Sequence, residues 1–138
     1  MAESIRKAEY FALAVPNRRG EAANLLEQLA ASGVDLIAFT GFPGAAGRAQ
    51  LDFVPSDAAA FRGAAERMKL KLRASKTVFV IQADDRAGAL ASVLKRLADA
   101  KINVTAVDAV SAGNGRYSAM LWVKPKDVEK AGAALGAV

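Results

Sequence analysis

The sequence contains no cysteine and no histidine, and these two absences remove several classes of chemistry. Without cysteine the chain has no disulfide and no thiol nucleophile. Histidine is the commonest general base near neutral pH and the commonest protein ligand of metals, so its absence argues against zinc sites and serine–histidine–aspartate triads. An enzyme built on carboxylates or lysine stays open, but we expect a non-catalytic protein that uses no metal and no cofactor.

Long apolar runs are missing as well. No segment approaches the roughly 18 consecutive apolar residues of a membrane-spanning helix, and the opening MAESIRKAEY lacks the apolar centre of a signal peptide. We therefore expect a cytoplasmic protein with no membrane contact. The net charge of +5 on 138 residues is modest and scattered, so it does not indicate a nucleic-acid surface.

What the chain does contain is an internal repeat. Shifted by 68 residues, FALAVPNRRGEAANLLEQLAASGVDLIAF aligns without a gap to FVIQADDRAGALASVLKRLADAKINVTAV. Phe11 then meets Phe79, Gly20 meets Gly88, and the apolar residues share one phase. We therefore predict a duplicated unit, with a first repeat over residues 9–75 and a second over residues 76–138.

Each repeat is predicted to be a βαββαβ unit, because apolar runs of strand length alternate with segments of helical periodicity. The predicted strands are residues 10–15, 34–42, 48–54 and 69–75 in the first copy, and 77–83, 102–110 and 116–123 in the second. Asn114-Gly115 is a hairpin signal. Second helices should begin at Ser56-Asp57 and near Pro125, where capping residues and a first-turn proline occur.

This element order is the ferredoxin-like split βαβ arrangement, an α+β fold with antiparallel sheets and helices on one face. The second copy has no room for its last strand, which by the repeat would begin near residue 138. Either that strand is absent, or residues 1–9 or another chain supplies it. Because a bare sheet edge is a pairing surface, we expect the other repeat or a second subunit to cover it. A homodimer through sheet edges or helices is the expected assembly.

The turn before the first helix of each repeat is the candidate binding site. It reads DDRAG in copy two and PNRRG in copy one. Unpartnered N–H groups and the dipole at a helix N-terminus suit a carboxylate or phosphate. Arg86, or Arg18 and Arg19, can add a forked cationic contact. Asp85 can meet an ammonium group and Asn103 offers an amide, so the set suits an α-amino acid.

Each of these residues also has a purely structural interpretation. Asp84 or Asp85 can serve only as a helix cap, and Asn103 only as a turn residue. Gly20 and Gly88 can serve the turn itself or close packing of the helix on the sheet. The arginines can be solvated without contacting any ligand.

The stretch DDRAGALASVLKRLADAKINV, residues 84–104, resembles the first helix and flanks of the ACT domain, a small amino-acid-sensing module. The usual form is Asp or Asn, two variable residues, Gly, a short apolar helix, and then a hydrophobic–Asn–hydrophobic strand start. The matching positions here are Asp85, Gly88, Leu90, Leu94, Leu97, Ile102, Asn103 and Val104. YSAMLWV resembles the third strand of the family. The resemblance is good over residues 76–135 and weaker over 9–75.

The resemblance implies a small amino acid or an analogue held at an interface between modules, and a regulatory role towards a separate enzyme. The ligand-binding residues that it implies are Asp85, Arg86, Ala87, Gly88, Ala89, Asn103 and Val104, with Asn17, Arg18, Arg19, Gly20 and Asp35 in the first copy. Ala87 departs from the family, which often has proline there. Asn17 and Asp35 replace Asp85 and Asn103, which puts ligand binding by the first copy in doubt.

Three alternatives to an amino-acid sensor remain. The first is a regulatory subunit or interaction protein that acts on a biosynthetic enzyme and has no ligand site of its own. RNA binding would need aromatic side chains displayed on the sheet, such as Phe53, Tyr117 and Trp122, but the dense basic–aromatic motif of that class is absent and we do not expect it. An enzyme could use Asp84 and Asp85 to hold Mg²⁺, although two adjacent carboxylates on a turn rarely supply a whole site.

Overall fold

The structure, a computed structural model, describes residues 3–138. The elements are β1 (Ser4–Pro16), α1 (Glu21–Ala31), β2 (Leu36–Pro43), β3 (Arg48–Pro55), α2 (Ala58–Arg67), β4 (Lys76–Asp84), α3 (Ala89–Asp99), β5 (Val104–Gly113), β6 (Arg116–Val123), a 3₁₀ turn (Pro125–Asp127) and α4 (Val128–Leu135). The predicted α+β class with its duplicated element order is confirmed. None of the helices in the described chain is long and apolar enough to cross a bilayer.

The chain forms two compact units, one of residues 9–76 and one of residues 77–138 together with the start of β1. A shift of 68 residues places α1 on α3 and β3 on β6, with the same first and last positions in each pair. The pairing of the strands repeats as well. Phe11 lies opposite Phe53 in the first unit, and the equivalent Phe79 lies opposite Leu121 in the second. The repeat seen in the sequence therefore extends to the backbone register.

Alternation along the strands builds the core of each unit. In the second unit, Phe79 and Ile81 of β4 and Leu121 of β6 face the helices, because every second strand residue points to the same side of a sheet. Val93 and Leu97 lie one turn apart on α3 and pack against them. All five side chains are fully buried, so α3 and the corner that precedes it are held firmly on the sheet.

The first unit packs in the same way around aromatic rings. The ring centroid of Phe61 on α2 lies 4.8 Å from that of Phe11 on β1 and 5.4 Å from that of Phe53 on β3. The guanidinium of Arg62 stacks over Phe11 at 5.0 Å from the ring centroid. These contacts attach α2 to its own sheet.

The start of β1 takes the place of the missing last strand of the second repeat. Strand β1 neighbours β4 in the sheet, and residues 3–8 belong to the second unit. The Lys7 N–H donates to the Val138 carbonyl at 3.0 Å, and the Val138 N–H donates to the Ile5 carbonyl at 3.1 Å. Ile5 is also part of the second core. Of the sources predicted for this strand, the chain's own N-terminal segment is therefore the one used.

The strand predicted over residues 69–75 is wrong. Arg73 donates one backbone hydrogen bond to the Ala12 carbonyl at 3.0 Å, but the segment forms no regular strand. Leu70 and Leu72 nevertheless pack against the first core. The alternation of lysine and leucine therefore indicates only that one side of the segment is buried. An extended segment can bury one side without forming the hydrogen-bonded ladder of a strand.

Both hairpins turn through two residues with left-handed backbone. Asn114 and Gly115 have φ of 55° and 72°, and the equivalent Ala46 and Gly47 have φ of 55° and 69°. Positive φ at both central positions is the geometry that suits the twist of hairpin strands. The hairpin predicted from Asn114-Gly115 is confirmed.

Candidate ligand-binding site

Both repeats make the same sharp corner between the first strand and the first helix. Gly20 precedes α1 with φ of 86°, and Gly88 precedes α3 with φ of 82°. This left-handed conformation favours glycine, which has no Cβ. A Cβ added at either position would meet no atom within 4 Å. The backbone conformation, rather than crowding by the protein, therefore accounts for glycine at these corners, and the space beside them is open.

Each corner is tied to the hairpin of its own repeat by one backbone hydrogen bond. The Asp85 N–H donates to the Gly115 carbonyl at 2.8 Å, and the equivalent Asn17 N–H donates to the Gly47 carbonyl at 2.9 Å. The turn is therefore anchored to the end of the sheet before the helix begins. Its remaining donors keep a defined direction as a result.

The start of α3 presents N–H groups for which residues 3–138 supply no acceptor. The first helical N–H, that of Ala89, donates to the Arg86 carbonyl at 3.1 Å. Those of Gly88, Leu90 and Ala91 have no acceptor among residues 3–138, and no side chain caps the helix. Unpaired donors at a helix N-terminus, together with the helix dipole, favour an anion.

The two aspartates of the corner have different surroundings. Arg116 Nη1 donates to Asp84 Oδ1 at 2.8 Å, and this hydrogen bond holds the pKa of the Asp84 carboxyl below its usual range. Asp84 thereby links β4 to β6. Asp85 is exposed and lines the adjacent pocket. Since no side chain caps α3, the interpretation of either aspartate as a helix cap is wrong.

An open pocket of about 410 Å³ lies beside this corner. It is lined by Asp85, Arg86, Gly88, Ala89, Leu90, Ala91, Ala109, Val110, Ser111 and Tyr117. The fold thus brings together four residues predicted from the turn, the first turn of α3, and residues from the hairpin ends of β5 and β6. The lining combines donors and charges at the corner with small apolar side chains on β5.

The guanidinium of Arg86 is available to an anion. Its Nη1 donates to the Ala87 carbonyl at 3.3 Å, and Arg86 has no carboxylate partner within the described chain. The side chain is exposed beside the unpaired N–H groups of α3. Ala87 itself does not line the pocket. Arg86 and the helix terminus therefore offer convergent positive potential.

The first repeat has a pocket of about 360 Å³ at the equivalent place, and its chemistry differs. Asn17 and Arg18 line it, but Arg18 Nη2 is paired with Glu21 Oε1 at 2.7 Å. Glu21 stands where the second repeat has Ala89. Phe42, which is 48% exposed, also lines this pocket. Arg18 at the first corner therefore has an internal partner, whereas Arg86 at the second corner has no carboxylate partner among residues 3–138.

Several predicted residues are not gathered at these pockets. Asn103 follows the end of α3, and eleven helical residues span about 16 Å at 1.5 Å each, so it lies at the end of the helix remote from the corner. Val104 packs against the second core instead. Asp35 is exposed at the start of β2, and Arg19 and Gly20 are exposed outside the first pocket's lining.

Tyr117 and Ser111 line the pocket but were not predicted as site residues from the sequence. They lie opposite each other on β6 and β5. Tyr117 is 5% exposed, and its hydroxyl has no hydrogen-bond partner among the residues that the structure describes. Burial raises the pKa of Tyr117. The sequence shows that Tyr117 is a polar residue close to a hairpin turn. It does not show that this end of the hairpin lies beside the glycine corner, because that depends on how the strands pair.

The aromatic side chains considered for base stacking do not form a platform on the surface. Phe53 is fully buried, and Tyr117 and Trp122 are 5% and 8% exposed. Base stacking needs an open aromatic face. These three residues therefore give the RNA-binding alternative no support.

Comparison with known proteins gives a family match for the second repeat. Residues 77–138 match the family described as the ACT domain, and no curated protein matches the chain. A protein of Bacteroides thetaiotaomicron has a similar crystal structure, with a TM-score of 0.81 and 20% identity, over 96% of this chain and 88% of that one.

Two further structures come from aspartate kinases. The regulatory subunit of aspartate kinase from Thermus thermophilus, in its ligand free form, is similar with a TM-score of 0.62 and 16% identity, over 98% of this chain and 93% of that one. Aspartate kinase from Synechocystis has a TM-score of 0.63 and 19% identity, over 97% of this chain and 25% of that one. At these identities the likeness establishes the fold.

Proposed function

We propose that this protein, whose residues 77–138 are an ACT domain, is a non-catalytic regulator that senses an amino acid or a related metabolite. In this proposal residues 76–138 form the sensing repeat and residues 9–75 a second ACT-like repeat, acting in the cytoplasm on amino-acid metabolism. One observation carries the proposal. A single pocket at the start of α3 is surrounded by an exposed carboxylate, and by backbone donors and a guanidinium that have no acceptor or carboxylate partner among the described residues.

The chemistry of an α-amino acid matches these groups. Its carboxylate would accept hydrogen bonds from the N–H groups at Gly88 and Leu90 and from Arg86, and charge-assisted bonds are the strong ones. Its ammonium group would pair with Asp85. The side chain would then lie against the apolar stretch of the lining, which includes Leu90 and Ala109. A pocket of a few hundred Å³ is of the size that small-molecule sites have.

A second copy of the chain is the partner that we propose to close the open side of this pocket. Strand β5 lies at the edge of its sheet and pairs only with β6 among the described strands. Its side chains are almost all exposed, with Val107 at 38% and Val110 at 65%, and Asp108 is its one charged residue. A long edge strand with so little charge is a pairing surface, so we propose a homodimer along β5. We keep Asn103 and Val104 as candidates for contacts between modules.

A second candidate function is a regulatory subunit without a working ligand site. The Arg18–Glu21 ion pair favours it for the first repeat, because the arginine that lines that pocket already has a partner. Two of the similar structures are a regulatory subunit of aspartate kinase and an aspartate kinase. An enzyme of amino-acid biosynthesis is accordingly the class of partner that we propose in either case.

Ligand screening on the full chain tests the sensing function. Each of the twenty amino acids is added at millimolar concentration in a thermal-shift assay, and positives are titrated by calorimetry. A ligand at about 100 times its Kd, bound only to the folded form, adds about 2.7 kcal/mol of stability. If none of the twenty changes the unfolding temperature, amino-acid sensing is refuted, and capture of a biosynthetic enzyme would then support the second candidate.

The two equivalent arginines supply a matched pair of variants. Arg86→Ala should weaken binding by about tenfold or more, because a hydrogen bond to a charged group contributes about 1.5–3 kcal/mol. Arg18→Ala should leave the Kd unchanged, since Arg18 is already paired with Glu21. Equal losses in the two variants would contradict the assignment of the ligand to the second repeat.

A further inference from the structure

The excess positive charge of the chain lies in one segment. Residues 67–83 contain five of the 19 basic residues and no acidic residue, so the other 14 basic residues balance all 14 acidic ones. The five basic residues are Arg67, Lys69, Lys71, Arg73 and Lys76. The basic residues as a whole are scattered along the chain, but the net charge of +5 is not.

The cations of this segment face solvent. Between α2 and β4 the chain has no regular secondary structure, and Leu70 and Leu72 pack against the first core. Neighbouring residues of an extended chain point to opposite sides, so Lys71 and Arg73 point away from that core. All four cations of residues 69–76 are exposed. None of them has a carboxylate partner among residues 3–138.

The backbone of the same segment has an unpaired side. The Arg73 N–H donates to the Ala12 carbonyl of β1 at 3.0 Å, and the backbone groups of successive residues in an extended chain point in opposite directions. Those of Leu72 and Ala74 therefore point away from β1, and they have no backbone partner among residues 3–138. Arg73 Nη1 donates to Gln50 Oε1 at 2.9 Å, which orients the guanidinium. A row of unpaired N–H and C=O groups is an edge to which another strand can add.

Charge selects the strand that can add to this edge. A second copy of the same segment is disfavoured, because like charges directly opposite each other are destabilising. No segment of the chain has three acidic residues at alternate positions, so the rest of a second copy does not supply the complement either. A nucleic acid would neutralise the cations but would form no ladder with Leu72 and Ala74. An extended acidic peptide matches both the backbone groups and the side chains.

We infer that residues 69–76 are a docking site for an extended, acidic segment of a partner protein. The partner segment adds as a strand along the unpaired side, and its carboxylates lie opposite Lys71 and Arg73. Main-chain hydrogen bonds supply affinity in strand addition, and the complementary charges supply specificity and fast association. This site is separate from the pocket at α3, and the inference does not depend on amino-acid sensing.

A fluorescently labelled peptide of alternating glutamate and threonine, with both ends blocked, tests the site by anisotropy. The full chain should bind it saturably at low ionic strength, and added salt should weaken the binding. Lys69→Gln with Lys71→Gln should raise the Kd by about fivefold or more, because two exposed ion pairs are lost. Lys124→Gln with Lys126→Gln is the matched control, since it removes two exposed lysines of the same spacing from the second unit. The control should keep the wild-type Kd, and equal losses in the two double variants would overturn the inference.

Two further probes distinguish strand addition from attraction between charges alone. The same peptide with alternate backbone nitrogens methylated keeps its charge but loses donors, so its Kd should be about fivefold or more higher. A single-stranded RNA of equal charge should bind more weakly than the parent peptide. If the methylated peptide binds as tightly as the parent, or the RNA binds more tightly, strand docking is refuted. Absence of saturable binding of the parent peptide refutes it as well, and the amino-acid screen is unaffected by that result.

Discussion

Replacing Gly88 by alanine should destabilise the protein by about 1 kcal/mol. Gly88 has φ of 82° and ψ of 2°, and a residue with a Cβ pays about 1–2 kcal/mol in the left-handed region. No atom lies within 4 Å of the added Cβ, so no clash increases this cost. Alanine also lowers the conformational entropy of the unfolded chain, which offsets about 0.4–1 kcal/mol of this loss of stability. The net loss is the difference between these two effects.

Two further variants make the cause of the loss identifiable. Gly88→Asn should lose less than Gly88→Ala, because asparagine enters the left-handed region more readily than other residues with a Cβ. Gly63→Ala should have the opposite sign. Gly63 lies inside α2, where alanine is favoured over glycine by about 0.8–1 kcal/mol, and the nearest atom to the added Cβ is the flexible end of Arg67 at 3.4 Å.

Urea unfolding followed by circular dichroism measures these changes. With a slope of about 1–3 kcal/mol per molar urea, a loss of 1 kcal/mol lowers the midpoint by roughly 0.3–1 M. If Gly88→Ala keeps the wild-type midpoint while Gly63→Ala raises it, the left-handed corner does not constrain this position. The account of why both corners carry glycine would then be refuted.

Two other predictions concern the remaining polar contacts. Asp57→Ala should lower the free energy of unfolding by about 0.5–2 kcal/mol, because Asp57 Oδ1 accepts a hydrogen bond from a first-turn N–H of α2 at 3.1 Å. Asp99→Ala removes only an exposed ion pair and should change the free energy of unfolding by less than about 0.5 kcal/mol. Equal urea midpoints for these two variants would contradict the cap. The hydrogen bond from Arg62 lowers the pKa of Glu9, so the carboxylate stabilises the fold above its unfolded pKa of about 4.3, and this stability is lost as pH falls through the folded value. Glu9→Gln should therefore lower the midpoint at neutral pH and match the wild type in acid, and a deficit that persists in acid would contradict this.

The elements of the fold were predictable because their signals are local. Helical spacing at Leu94 and Leu97, alternation along the strands, and Asn114-Gly115 at a hairpin each act over a few residues. The 68-residue repeat then carried the same assignments to both halves. The error at residues 69–75 arose because alternation reports burial of one side, whereas a strand also needs a neighbour at the correct distance for a ladder.

The site was predictable only in part, for the same reason. Asp85, Arg86, Gly88 and Ala89 are contiguous, so the turn nominated them together, and the pocket includes all four. Tyr117 is distant in sequence and reaches the pocket through the pairing of β6 with β4 and β5. Asn103 was predicted from a family pattern, but it follows α3 and therefore lies at the end of the helix that is remote from the glycine corner.

By itself the sequence determined the duplication, the order of the elements, the glycine corners and the absence of histidine and cysteine chemistry. These properties depend on residue types and short spacings that need no knowledge of the folded chain. The tertiary structure decided which segment completes the second sheet, that Arg18 is paired while Arg86 has no carboxylate partner among the described residues, and that Tyr117 lines the pocket at the second corner. Those outcomes depend on which distant atoms come within hydrogen-bonding distance, and only the packed chain sets those distances.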